Sequence, residues 1–167
     1  MPLDKTDLRI LGELQSDARI SVAELSKRVA LTPTPCARRL QQLEQSGVIK
    51  AYVAVLDQAA LGLPVDAFVE VRLTREGKAE VAEFESKVHG YPEVMQCWML
   101  SGGSDYLLRV VAADLESYNR FLRDELLSLG CVDQVQTGFA LQRVVDRTAL
   151  PLRHLGQVSS EAARKAR

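Results

Sequence analysis

The chain has 167 residues, of which 47% are hydrophobic and 26% charged, with a formal charge of -1 and a mean hydropathy of -0.05. That length suits one domain or two small ones, each burying a core. No apolar run approaches a membrane span, and MPLDKTDLRI has neither segment of a signal peptide, so we expect a cytoplasmic, membrane-free protein.

The charge is segregated. Residues 1–57 carry +1, residues 58–142 carry -6 and residues 143–167 carry +4. An acidic middle repels a polyanion, so any nucleic-acid contact belongs to the first segment, helped by the tail. Cys36, Cys97 and Cys131 are odd in number, widely spaced and set among apolar residues, which reads as reduced core thiols. His89 and His154 have no second ligand at metal-binding spacing, so we expect no metal and no cofactor.

In chain order, Asp4 caps a first helix running to about Gln15, with Leu8, Leu11 and Leu14 on one stripe. Ser21 with Glu24 has the spacing of a capping box, and Val22, Leu25 and Val29 face a core from the helix that follows. Thr32 as N-cap and Pro33 at the first helical position start a third helix, which Gly47 stops after Ser46. Cys36, Leu40 and Leu43 point inward there, leaving Thr34, Arg38, Arg39, Gln41 and Gln42 to solvent. Two helices joined by a short turn, the second rich in donors that reach bases and phosphates, form a helix-turn-helix signature. With Ser21 and Thr32 at the helix starts and Lys50 beyond, residues Thr34, Arg38, Arg39 and Gln42 make the candidate DNA-contact set. A strand over Val48–Asp57 follows, rich in β-branched residues.

Ala59–Pro64, with its Gly and Pro, marks the boundary between a head (residues 1–58) and a second domain (65–145). The second domain reads as strand (65–74), helix (77–89), strand (93–100), SGGSDY turn, strand (106–112), helix (114–129) and strand (132–144). Leu115, Tyr118, Leu122, Leu126 and Leu129 are expected inward from the second of those helices. The order βαββαβ is that of a ferredoxin-like α+β domain, an antiparallel sheet with both helices on one face. Leu107, Leu108, Val110 and Val111 in succession imply apolar side chains on both faces, and dimerisation through the open face is the simplest way to cover the second. A dimer also presents two reading helices to a palindrome. Gly102-Gly103-Ser104-Asp105 makes a tight hairpin turn, whose amides could also receive a carboxylate.

Three motifs, DKTDLRIL, TPTPCARRLQQLEQSGVIKAY and SGGSDYLLRV, occur in that order between residue 4 and about residue 145. In them the chain resembles the leucine-responsive regulatory protein/AsnC (feast/famine) transcription regulators. The resemblance implies a winged helix-turn-helix head that binds double-stranded operator DNA. It further implies a ferredoxin-like sensor that binds an amino acid, and homodimers that associate to tetramers or octamers. It places the effector at the turn between the second and third sensor strands, with Asp105 facing the ligand's ammonium. Met99, Leu100, Gly102, Gly103, Ser104, Tyr106, Leu115, Thr137, Gly138 and Phe139 would surround the ligand. These are mostly apolar, which favours a hydrophobic amino acid. The competing reading is an architectural DNA-binding protein without an effector. An enzyme on the same sheet is disfavoured because no acid–base or nucleophilic set is assembled. Residues 146–167 form a tail beyond the family pattern, expected to be disordered or weakly helical from Ser159.

Overall fold

The computed structural model describes residues 3–75 and 77–155. Two compact units emerge, one made of Met1–Ala54 with Val145–Arg167 and the other of Val55–Val144. Residues 55–58, assigned above to the head, therefore belong with the sensor unit.

In the head, α1 (Lys5–Ser16), α2 (Val22–Arg28) and α3 (Pro33–Gln45) close around Ile10, Leu25, Cys36 and Leu43, all without solvent exposure. Burying each of the larger side chains contributes roughly 1.5–3 kcal/mol. The start signals operate as their chemistry dictates. Asp4 accepts the Thr6 and Asp7 backbone N–H groups while Asp7 reaches back to the Asp4 N–H, closing a capping box. Ser21 Oγ accepts the Glu24 N–H; Thr32 stands at the α3 N-cap position without a side-chain cap bond, Pro33 following it. Between α2 and α3 the Leu31 N–H bonds the Ser26 carbonyl and the Ala30 N–H that of Lys27, a Schellman closure with Ala30 at φ 57° where glycine is usual.

Beyond Gly47, residues 48–57 are not a strand. The segment has no ladder partner, and Val53 and Val55 are 76% and 72% exposed. Its β-branched pattern favours extension, but a strand also requires a neighbour to bond.

The sensor sheet runs β2-β3-β1-β4 and is antiparallel throughout, with β1 (Val65–Leu73), β2 (Val94–Met99), β3 (Tyr106–Ala112) and β4 (Val132–Phe139). Central β1 alternates cleanly. Ala67, Val69, Val71 and Leu73 are buried under α4 (Lys78–His89) and α5 (Leu115–Arg120), and Phe68, Glu70 and Arg72 are exposed on the other face. β4 ends at Phe139 rather than Val144, where its pairing to β1 runs out.

The second helix also departs from expectation. After six α-helical residues, Phe121–Leu126 is a π-helical turn in which the Leu127 N–H bonds the Leu122 carbonyl at 2.8 Å. The wider turn lets Phe121 and Leu126, five apart, share the buried face. Leu115 is 62% exposed rather than inward, because it begins the helix ahead of the covered stripe. Cys36 and Cys131 are buried free thiols, but Cys97 is exposed on edge strand β2.

On the open face, Asp66 receives a bidentate Arg109 (Nε and Nη2, both 2.8 Å) and Arg143 Nη2 at 2.7 Å. Arg109, then Arg143, hold the Asp66 carboxyl below the usual range against the opposing effect of burial. The tail returns to the head: Gln15 donates Nε2 to the Leu150 carbonyl and accepts the Leu150 N–H at 2.6 Å, and Leu152 packs against the head core. The tail beyond Ser159 lies outside the described residues.

Candidate functional site

The outer face of α3 is the first candidate surface. Thr34, Ala37, Arg38, Gln41, Gln42 and Gln45 are all exposed along one side of this helix. Helical spacing lines them up, and none is acidic. The one carboxylate of α3, Glu44, accepts the Tyr52 hydroxyl at 2.9 Å, and burial together with Glu44 pushes that phenol up to about 12. Arg38 makes no ion pair among the described residues, and Lys50 is exposed. These are long donors free to reach phosphates and base edges.

Arg39 is different. Its Nη1 bonds Asp4 at 2.6 Å and Asp7 at 2.8 Å, and Asp7 is only 3% exposed. The two carboxylates, Asp7 first, raise the guanidinium's pKa. Burial alone would raise the Asp4 carboxyl, but the Asp7 backbone N–H and Arg39 more than offset it, leaving it lowered. Arg39 is thus a strut between α3 and the start of α1, not a free reading residue. One position along a helix turns a side chain by about 100°, enough to exchange these roles.

The second candidate is the turn joining β2 to β3. The backbone N–H groups of Ser101, Gly102, Gly103 and Ser104 make no hydrogen bond among the described residues. A Cβ on Gly102 or Gly103 would meet nothing within 4 Å, so the turn is open to approach. Clustered unpaired amides are donors in search of an anion. Asp105 does not face this opening with a free carboxylate: its Oδ2 accepts the Leu73 N–H at 2.7 Å, its own N–H bonds Val71 and its carbonyl accepts from Leu100. Arg72 donates Nε and Nη2 to the Gly103 carbonyl, and Ser104 Oγ donates to Glu70 at 2.8 Å. Sequence reasoning missed Glu70 and Arg72. Their signal was the pair of opposite charges at i, i+2 on the exposed face of β1.

The remaining effector residues are dispersed. Met99 and Leu100 are exposed beside the turn. Tyr106 is buried, and its hydroxyl donates to Glu85 at 2.9 Å; burial, then Glu85, raises its pKa. Thr137 shares a hydrogen bond with the Tyr118 hydroxyl, and Phe139 meets the Tyr118 ring edge-on at 5.1 Å. Gly138 lies opposite Phe68 on the open face. Phe139 pairs with Ala67 whereas the turn adjoins Val71, four residues and about 13 Å along β1. Within one chain, then, the turn does not meet the Leu115 and Phe139 group.

A cavity of about 480 Å³ lies under α4 against β2, lined by Glu85, His89, Cys97, Met99 and Tyr106 among others. Cys97 is exposed overall, but desolvation where it lines this cavity, then Glu85, raises its thiol. Among the described residues no group of three or more His, Cys, Asp and Glu is placed to hold a metal ion.

The Lrp/AsnC ligand binding domain matches residues 66–150, and a winged helix-turn-helix DNA-binding family matches residues 3–50. The chain belongs to the Lrp/AsnC family. It is 41% identical over 144 residues to the leucine-responsive regulatory protein of Rhizobium meliloti, covering 86% of this chain and 92% of that protein. It is 39% identical over 150 residues to the Bkd operon transcriptional regulator of Pseudomonas aeruginosa, covering 90% and 98%. A Neisseria meningitidis transcriptional regulator solved in complex with L-methionine superposes with a TM-score of 0.88 at 42% identity, covering 92% of this chain and 99% of that one. Escherichia coli AsnC, at 22% identity and a TM-score of 0.82, shares the fold. In Lrp/AsnC terms this chain is a DNA-binding transcription regulator, with the α3 face on its DNA-binding domain and the Ser101–Asp105 turn on its ligand-binding domain. No helix among the described residues is long and apolar enough to cross a membrane.

Proposed function

We propose that this Lrp/AsnC regulator binds operator DNA through Thr34, Arg38, Gln42 and Lys50, with Ser21 and Thr32 near the phosphates. Its operator affinity or assembly is set by a hydrophobic amino acid held at the Ser101–Ser104 amides. Four unpaired amides on an open turn carry this reading: they match a carboxylate, and the neighbouring Met99 and Leu100 match an apolar side chain. The L-methionine bound by the Neisseria relative makes methionine the first candidate and the branched-chain amino acids the next.

Leu115, Thr137, Gly138 and Phe139 complete the pocket only from another copy, given their separation from the turn along β1. The exposed Phe68 and Trp98 of the open face and the unpaired Val53–Leu56 segment are surfaces for that copy. Homodimers assembling further, to tetramers or octamers, follow, and the place of action is the cytoplasm. An effector acts in such a system only through its differential affinity for the alternative assemblies.

The test is thermal unfolding against each of the twenty amino acids, followed by Trp98 fluorescence, with operator binding measured alongside. A ligand at about 100 times its dissociation constant adds roughly 2.7 kcal/mol. We expect a response confined to methionine and the branched-chain class, accompanied by altered operator binding. A flat panel with little preference for the operator over random DNA replaces this reading with the architectural one.

A further inference from the structure

The turn that presents the four amides is not shaped by its own residues alone. Arg72, one position before the buried end of β1, reaches across to the Gly103 carbonyl with both Nε and Nη2. From the same exposed strand face, Glu70 accepts the Ser104 hydroxyl. A peptide unit is planar, with its carbonyl and following N–H on opposite sides. Fixing the Gly103 carbonyl toward Arg72 therefore fixes the Ser104 N–H away from it. In a Gly-Gly segment with no neighbouring atom within 4 Å of either Cβ position, little else restrains that peptide.

We infer that Arg72, seconded by Glu70 through Ser104, is the positioning residue that aims the Ser104 amide at the effector carboxylate. The inference rests on the functional reading above and deepens it. Asp105, the residue the sequence nominates, also orders the base of the hairpin, its Oδ2 accepting the Leu73 amide. Arg72 also places a positive charge beside the amides, so its influence is specific to the anionic end of the ligand. Its side chain is exposed, and its loss removes no core contact.

The experiment compares L-methionine with L-methioninol, which keeps the ammonium and side chain but lacks the carboxylate, by calorimetric titration of the full chain. Wild-type protein is expected to prefer L-methionine. Arg72→Met should weaken L-methionine binding by roughly tenfold or more, the loss of a charge-assisted contact. It should leave L-methioninol within about twofold and the melting temperature of the unliganded protein unchanged. Arg72→Lys, with one donor direction in place of a fork, should recover part of the loss, and Ser104→Ala should show a smaller loss in the same direction. Equal affinity for L-methionine in wild type and Arg72→Met overturns the inference, as does equal weakening of both ligands. Wild-type protein that binds none of the twenty amino acids overturns the functional reading itself, and the inference with it.

Discussion

The Asp105 carboxylate and the Leu73 backbone N–H meet at 2.7 Å, tying the start of β3 to the end of β1. Leu73 is 5% exposed, so its amide has no ready access to water once this acceptor is gone. Asp105→Ala should therefore destabilise the sensor by about 1–3 kcal/mol. Asp105→Asn, which keeps an oxygen acceptor, should recover most of that. Urea unfolding of the three proteins decides the matter, and an Asn variant as unstable as the Ala variant would show that charge, not the acceptor, is what Leu73 needs.

Arg38 and Arg39 should separate cleanly. Arg39→Ala strips the countercharge from nearly buried Asp7, at a cost of roughly 2–4 kcal/mol to the head. Arg38→Ala should leave stability within about 0.5 kcal/mol. It should weaken operator binding and, if its contact is to a phosphate, reduce the salt slope by about one. Thermal melts beside salt-dependent gel shifts distinguish the two variants.

The Asp66 cluster gives a pH dependence with a defined sign. Its folded pKa is depressed, chiefly by Arg109, so the unfolded chain binds the proton more readily. The stabilisation is complete above the unfolded value near 3.9 and is lost as pH falls through the folded one. Asp66→Asn should cost about 2–4 kcal/mol at neutral pH, since Arg109 and Arg143 lose their charge partner. The gap to wild type should shrink progressively below about pH 4. Equal spacing of the two unfolding curves from pH 7 to pH 2 would contradict this assignment.

Ala30 sits at φ 57° in the turn between α2 and α3. Ala30→Gly removes the Cβ penalty of that conformation and should stabilise the head by roughly 0.5–1 kcal/mol, despite the entropy glycine adds to the unfolded state. Gly47→Ala, at φ 73°, should shift the melting temperature in the opposite direction.

Periodicity and caps made most of the architecture legible, because they are local. Asp4, Ser21, Pro33 and Gly47 each act within a few residues of where they stand. The β1 alternation likewise announces its own two faces. What escaped depends on partners distant in sequence. Val48–Asp57 has the composition of a strand, yet composition cannot supply a neighbour. Arg39 looks like Arg38 until Asp4 and Asp7 are brought against it from 35 and 32 residues away. Nor does the sequence show that Asp105 Oδ2 accepts the amide of Leu73, also 32 residues off. Glu70 and Arg72 gain their meaning only when the hairpin turn folds over the same strand face.

The Gln15–Leu150 clasp closes the backbone into a ring. The chain leaves α1, traverses the remaining head helices and the whole sensor, and comes back to within hydrogen-bond reach of its departure point, 135 residues later. A head excised at Ala54 would leave behind Leu152, which belongs to its hydrophobic core. By the same token, a single cut between residues 55 and 64 opens the ring without freeing either piece, since the clasp and Leu152 still hold the tail to the head. The two units are therefore strung on a circuit, and severing it requires two breaks.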